Sequence, residues 1–165
     1  MDTNLAGTLC KVCGVLNKHS VEYLIVGGIA VAIHGYFRLT TDMSGRETDK
    51  PDFDFWYNAT YNNYFRLLDA IEELGQDVTD IKNETTPDPQ KSFFKIDMKA
   101  FSADFLPGLP GLSNFKESFK QKKIIVLQEV DIFFISYDDL LLTKIATARP
   151  KDLDDIEHLK QRRDQ

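Results

Sequence analysis

The chain has 165 residues, 20 Lys and Arg against 26 Asp and Glu, a formal net charge of −6 and a pI near 5.0. This length predicts one domain over residues 1–165 with a single apolar core, and 42% hydrophobic with 12% aromatic residues excludes a disordered chain. The acidic balance excludes a general nucleic-acid coat, which neutralises phosphates with excess Lys and Arg, though not an enzyme that handles nucleotides through bound metal. No apolar run approaches the ~18 residues of a membrane span. The start, MDTNLAGTLCKVCG, has no basic n-region followed by an apolar one. A cytoplasmic location with no membrane partner is therefore expected.

In chain order, Leu5, Leu9, Val12, Cys13 and Leu16 recur at helical spacing and predict a helix over 4–18. Cys10 and Cys13 fall inside that pattern, with no second ligand pair for zinc, and are expected as buried thiols. Residues 21–26 (VEYLIV) predict a short strand covered on both faces. Gly27-Gly28 breaks it, and residues 29–34 form a helix with Gly35 as the residue after its end. Residues 40–51 (TTDMSGRETDKP) hold one apolar residue in twelve and predict a long surface loop, mobile when the neighbouring site is empty. Residues 53–57 predict an aromatic strand. Residues 58–74 predict a helix with Tyr64, Leu67, Leu68 and Ile71 on one stripe, ended by Gly75.

Residues 83–90 predict a loop. Residues 92–97 and 100–106 predict one hairpin, 107–112 (PGLPGL) an irregular segment, and 123–127 with 130–135 a second hairpin. The Gln-Glu turn of that second hairpin is poor chemistry for a tight loop. Ser136 with Asp139 three residues on starts a helix, and Pro150 separates it from a last helix over 151–163. The fold class expected is mixed α/β (α+β), one mixed sheet flanked by helices with a C-terminal helix pair.

The chemistry concentrates at Asp52-Phe53-Asp54-Phe55-Trp56. Strand alternation sends Phe53 and Phe55 to the core and leaves Asp52 and Asp54 together on the other face, about 6–7 Å apart. Two such carboxylates suit one hard cation, or two cations sharing a third acid from a neighbouring strand. Taken alone, a D-x-D is more often an exposed strand face with two solvated acids, because the tripeptide is short and common. Along 101–106 the same alternation puts Asp104 on the face away from Phe101, Ala103 and Phe105. Asp97 lies near the turn, where Asp is expected for turn reasons, so Asp104 is the preferred third acid. Gly27-Gly28, between strand and helix, removes the Cβ atoms that would keep a phosphate from backbone amides; an ordinary tight turn is the alternative.

These residues together resemble the nucleotidyltransferases of the DNA polymerase β superfamily. The closer resemblance is to the minimal bacterial branch that includes the nucleotidyltransferase-like toxins of abortive-infection (type IV) toxin–antitoxin systems. YLIVGGIAVAIHGYFR (residues 23–38) resembles the branch's opening strand, Gly turn and helix ending in His-Gly-x-x-Arg. DFDFW (52–56) resembles its Asp-x-Asp strand, ADFLPGL (103–109) its third-acid strand, and LLLTKIATARPKDLDDIEHL (140–159) its closing helical Lys with Arg-x-Lys-Asp and Asp-Ile-x-x-Leu. One departure stands out. The family runs from the Arg through a Thr almost directly into D-x-D, whereas here Met43-Ser44 follows Asp42 and the acids arrive ten residues later, as if by insertion between Arg38, Thr40 and Thr48.

The resemblance implies a polymerase-β-like nucleotidyltransferase fold. It also implies transfer of a nucleotidyl group from a nucleoside triphosphate to an RNA, protein or small-molecule acceptor. Asp52, Asp54 and Asp104 would hold Mg²⁺ or Mn²⁺ and act in catalysis; Gly27, Gly28 and Lys144 would meet the triphosphate; Asp152 is assigned to Lys144 or to the nucleotide. A protein-binding half of a toxin–antitoxin pair on the same fold, with an antitoxin or toxin partner, is the alternative function.

Overall fold

The computed structural model describes residues 3–35 and 50–164. Helix α1 (Thr3–Lys18) leads into β1 (Tyr23–Val26), and α2 (Gly27–Ile33) follows at once. Next come β2 (Asp52–Tyr57), α3 (Tyr61–Glu73), the one-turn α4 (Thr79–Lys82) and a 3-10 turn (Pro89–Lys91). β3 (Phe94–Asp97) and β4 (Ser102–Leu106) make the first hairpin, and α5 (Phe115–Lys120) precedes the second, β5 (Lys123–Leu127) with β6 (Val130–Phe134). Helices α6 (Tyr137–Thr147) and α7 (Pro150–Asp164) form the C-terminal pair.

The six strands lie in the order β3-β4-β2-β1-β6-β5. β1 runs antiparallel to β2 and parallel to β6, and β2 runs parallel to β4. A hairpin therefore occupies each edge, and the two strands that are not part of a hairpin lie at the centre. The period-2 pattern of β2 is realised: Phe53, Phe55 and Tyr57 are fully buried, and Phe55 stacks on Phe105 of β4 with ring centroids 4.9 Å apart. The stripes of α1 (Leu5, Leu9, Val12, Cys13, Leu16) and α3 (Tyr64, Leu67, Leu68, Ile71) are buried in the same core. Cys10 and Cys13 are free and buried; the Cys10 thiol donates to the Leu127 carbonyl at 3.3 Å, and burial pushes the Cys13 thiol up to about 12. Both are unreactive packing residues.

Local signals decide the boundaries. Gly35 (φ +107°) and Gly75 (φ +113°) take the left-handed conformation after α2 and α3. The Ser136 side chain accepts the Asp139 N–H at 3.2 Å and starts α6. The turn expected to be poor is nevertheless formed: Gln128 and Glu129 both adopt positive φ (50° and 67°). Five paired positions between β5 and β6 outweigh that cost, because the twist of a two-residue hairpin demands the left-handed turn whatever residues fill it. Asn114 caps the short α5, an element without enough periodicity to be legible in the sequence. The loop expected over residues 40–51 lies outside the described residues up to position 49, as do Arg38, Thr40, Asp42 and Thr48. Among the described residues no helix is long and apolar enough to cross a membrane.

Candidate active site

The acid pair sits where the two central strands meet the Gly turn. Asp54 is the register partner of Val26 on one side and of Asp104 on the other, and Asp52 is the partner of Ser102. Adjacent strands lie about 4.8 Å apart, so Asp54 and Asp104 are direct neighbours across β2 and β4. Ser102 donates its hydroxyl to Asp52 Oδ1 at 2.8 Å. Asp97 lies two pairs from Asp104 along the hairpin, opposite Ser102, where it is largely exposed and bound by the Lys50 ammonium. Lys50 also donates to the Met98 carbonyl at 2.8 Å. Asp97 is thus tied to Lys50 beside the turn, and Asp104 is the acid beside the pair.

Burial and like charge act on these carboxyls together. Burial, then Asp52 and Asp104, push the Asp54 carboxyl up to about 6, while Lys151 and Lys144 pull the other way. Burial also raises Asp104, opposed by Lys95 across the strand and reinforced by Asp52. Asp104 Oδ1 is buried with no hydrogen-bond partner among the described residues. Gly27 has φ +67°, and a Cβ there would overlap the Asp54 carboxylate, with the Asp54 Cγ at 3.0 Å. Only glycine meets both the backbone and the steric requirement. Gly28 differs: a Cβ there would meet nothing within 4 Å. Gly27 is thus pressed against the acid, while the space beside Gly28 is open.

The cleft above Asp54 holds about 250 Å³, lined by Gly27, Leu106, Pro110, Thr143, Lys144 and Arg149 among others. Its far wall is the junction of α6 and α7. Ala148 turns the chain with φ 44°, Pro150 is the first helical residue of α7, and Asp152 reaches back to the Arg149 N–H at 3.1 Å. Asp152 also accepts from Arg149 Nε at 2.7 Å, Arg149 Nη2 at 3.1 Å and the Thr147 hydroxyl at 2.6 Å. Burial would raise its carboxyl, but Arg149, Thr147 and Lys144 hold it well below the usual range. Lys144, itself buried, has its ammonium 3.3 Å from Asp152 and 3.1 Å from Asp155, both fully buried. Of the two assignments open for Asp152, the one to Lys144 is the contact present.

Arg149, with 65% of its side chain exposed, and Lys151, exposed on the first turn of α7, are the cations at the rim that interact electrostatically with Asp54. Arg149 and Asp155 belong to the closing motif, yet spacing alone could not show that Arg149 and Thr147 would converge on Asp152 while Asp155 joins it on the buried Lys144. The carboxylate oxygens of Asp52, Asp54 and Asp104 are the donor type that Mg²⁺ or Mn²⁺ takes. The raised Asp54 and the orphaned Asp104 oxygen mark a place where positive charge is lacking. As the side chains stand, no group of three or more His, Cys, Asp or Glu among the described residues is drawn together as a metal cage. The strand register brings the three acids to neighbouring positions, and a cation would have to draw their oxygens inward.

A family model described as "nucleotidyltransferase of unknown function" (DUF6036) matches residues 9–162. The chain belongs to this nucleotidyltransferase family. The match takes in the Gly turn, all three acids and the α6–α7 junction. No curated protein gives a significant match.

Proposed function

We propose that the protein is a metal-dependent nucleotidyltransferase that moves a nucleoside monophosphate from a nucleoside triphosphate to an acceptor hydroxyl. The observation that carries this reading is the opposition of Asp54 and Asp104 in the β2–β4 register, with Asp52 two pairs away on the same face and Gly27 packed on Asp54. Mg²⁺ held by these carboxylates would neutralise the triphosphate and polarise the α-phosphate. The residues of the chain supply the rest. Gly27 keeps the cleft floor free of a side chain, and Arg149 and Lys151 attract the triphosphate to the rim. The acceptor oxygen bonds to the α-phosphorus as the bond to the β-phosphate breaks and pyrophosphate leaves. Asp104, the acid paired with Asp54 in the register, would accept the hydroxyl proton.

Incubation with each α-labelled nucleoside triphosphate, Mg²⁺ and total cellular RNA or protein tests the reading. Label should appear in one acceptor class and vanish with Asp54→Asn; transfer at the wild-type rate by Asp52→Asn/Asp54→Asn would sink it. The second reading, one half of a toxin–antitoxin pair, is favoured by Leu142, Ile145 and Leu153, which stand exposed on α6 and α7 as a protein-binding surface would.

A further inference from the structure

We infer that a second cleft, between the start of β5 and the outer ends of α6 and α7, binds the phosphodiester backbone of a single-stranded polynucleotide whose acceptor end reaches Asp54. The inference rests on the nucleotidyltransferase reading above. The cleft holds about 470 Å³ and is lined by Lys120, Lys122, Lys123 and Arg163, together with Ser136, Tyr137 and Asp138. Asp138, its one acid, is bound by Arg163 at 3.1 Å. In a chain of net charge −6, residues 116–123 carry four lysines against one glutamate. The positive charge is therefore local, and the whole-chain balance conceals it. Two of the cations are backed by rings: the Lys122 ammonium lies 4.1 Å from the Phe119 centroid and the Arg163 guanidinium 4.4 Å from that of Tyr137. Lys120 and Lys123 are exposed, facing solvent.

The two clefts are the two ends of one helix pair. α6 begins at the basic cleft with Tyr137 and ends at the acidic one with Thr147, and α7 runs back from Asp152 to Arg163. Eleven residues at 1.5 Å make about 16 Å, roughly the length of five stacked nucleotides at ~3.4 Å each. A strand with its terminal hydroxyl at the acids thus has backbone phosphates within reach of the lysines. A lone triphosphate is too short to use both places. Such binding is sequence-tolerant and salt-dependent, as charge contacts to single strands are.

The test is anisotropy of a fluorescein-labelled oligouridylate of about 20 nucleotides, long enough to cover both clefts, titrated with the whole protein over a range of salt. Four cations predict a log–log salt slope of about −2 to −3, at ~0.7 per phosphate contact. Lys120→Gln/Lys123→Gln, both exposed and harmless to folding, should make the slope shallower by about 1.4 and weaken binding about tenfold. Asp54→Asn should bind the oligomer like wild type while losing transfer. An unchanged slope in the double variant overturns the cleft assignment and leaves the enzyme reading standing. Transfer that survives Asp54→Asn, with lysine-dependent binding intact, overturns the enzyme reading instead. Displacement of the oligomer by equal charge concentrations of polyglutamate would make the cleft a site for acidic protein, and displacement by inorganic tripolyphosphate at equal affinity a small-anion site. Either result overturns the proposal.

Discussion

The two ends of α6 put lysine to opposite uses. At the inner end Lys144 is buried, and its ammonium is already engaged by Asp152 and Asp155. At the outer end Lys120 and Lys123 stand in water, Lys120 with only a loose 3.8 Å contact to Glu117 on its own helix. Burial is the deciding variable. A cation removed from solvent must be paired within the protein, so Lys144 serves first to lock α6 to α7. An exposed cation keeps its charge available to a ligand. The lysine that the family resemblance assigns to the triphosphate is thus held by two acids of the fold, and Lys120 and Lys123, outside every quoted motif, are accessible.

The comparison breaks first, and hardest, at Lys144. Lys144→Met removes the ammonium that joins Asp155 to Asp152, leaving Asp152 with the Arg149 cation alone, and should cost about 3–5 kcal/mol in urea unfolding, whereas Lys123→Gln should stay within about 0.5 kcal/mol. Wild-type stability with lost nucleotide binding in Lys144→Met would return that lysine to the ligand. Next in size, Asp54→Asn keeps the shape of the site while removing one charge. A rate drop of at least ~100-fold is expected, about 2.7 kcal/mol of barrier, measured as label transfer. Gly27→Ala should destabilise by about 1–2 kcal/mol for its left-handed backbone alone and push Asp54 out of place. Its urea midpoint should fall, and transfer should fall with it.

Smaller effects separate the acids of the inner cleft. Asp152 is held below its unfolded pKa, so it adds stability above ~3.9 that is lost as pH falls through its folded value. Acid unfolding of Asp152→Asn should lack that part of the slope; an identical acid limb would mean the Lys144 and Arg149 contacts contribute nothing. Asp54, raised by burial and by its acid neighbours, should titrate near 6 by carboxyl NMR. Saturating Mg²⁺ should move that titration downward, because a bound cation favours the carboxylate. No movement would argue against Asp54 as a metal ligand.

The acidic cleft was largely legible because it rests on strand alternation and one turn. Asp52 and Asp54 had to share a face once Phe53 and Phe55 were in the core, and Asp104 followed by the same rule on β4. Which glycine packs on Asp54 was not legible, since Gly27 and Gly28 differ in backbone angle and in what lies opposite. The basic cleft was legible only as a run of lysines at 116–123, a pattern any solvated helix and strand edge can carry. Its fourth cation, Arg163, arrives from α7, forty residues away in sequence.

What the sequence determined by itself is everything governed by period and local chemistry. That includes the helix stripes, the buried aromatic side of β2, the Ser136 cap, the glycines that end α2 and α3, and the pairing of the two acids on one strand face. Those follow from backbone geometry that acts within a few residues. The tertiary structure alone decided which charges meet. The strand order set Asp104 beside Asp54, the α6–α7 turn drew Asp152 and Asp155 onto Lys144, and α7 carried Arg163 to the lysines before β5. Charge pairing depends on distance in space and on burial, and neither is encoded by spacing along the chain.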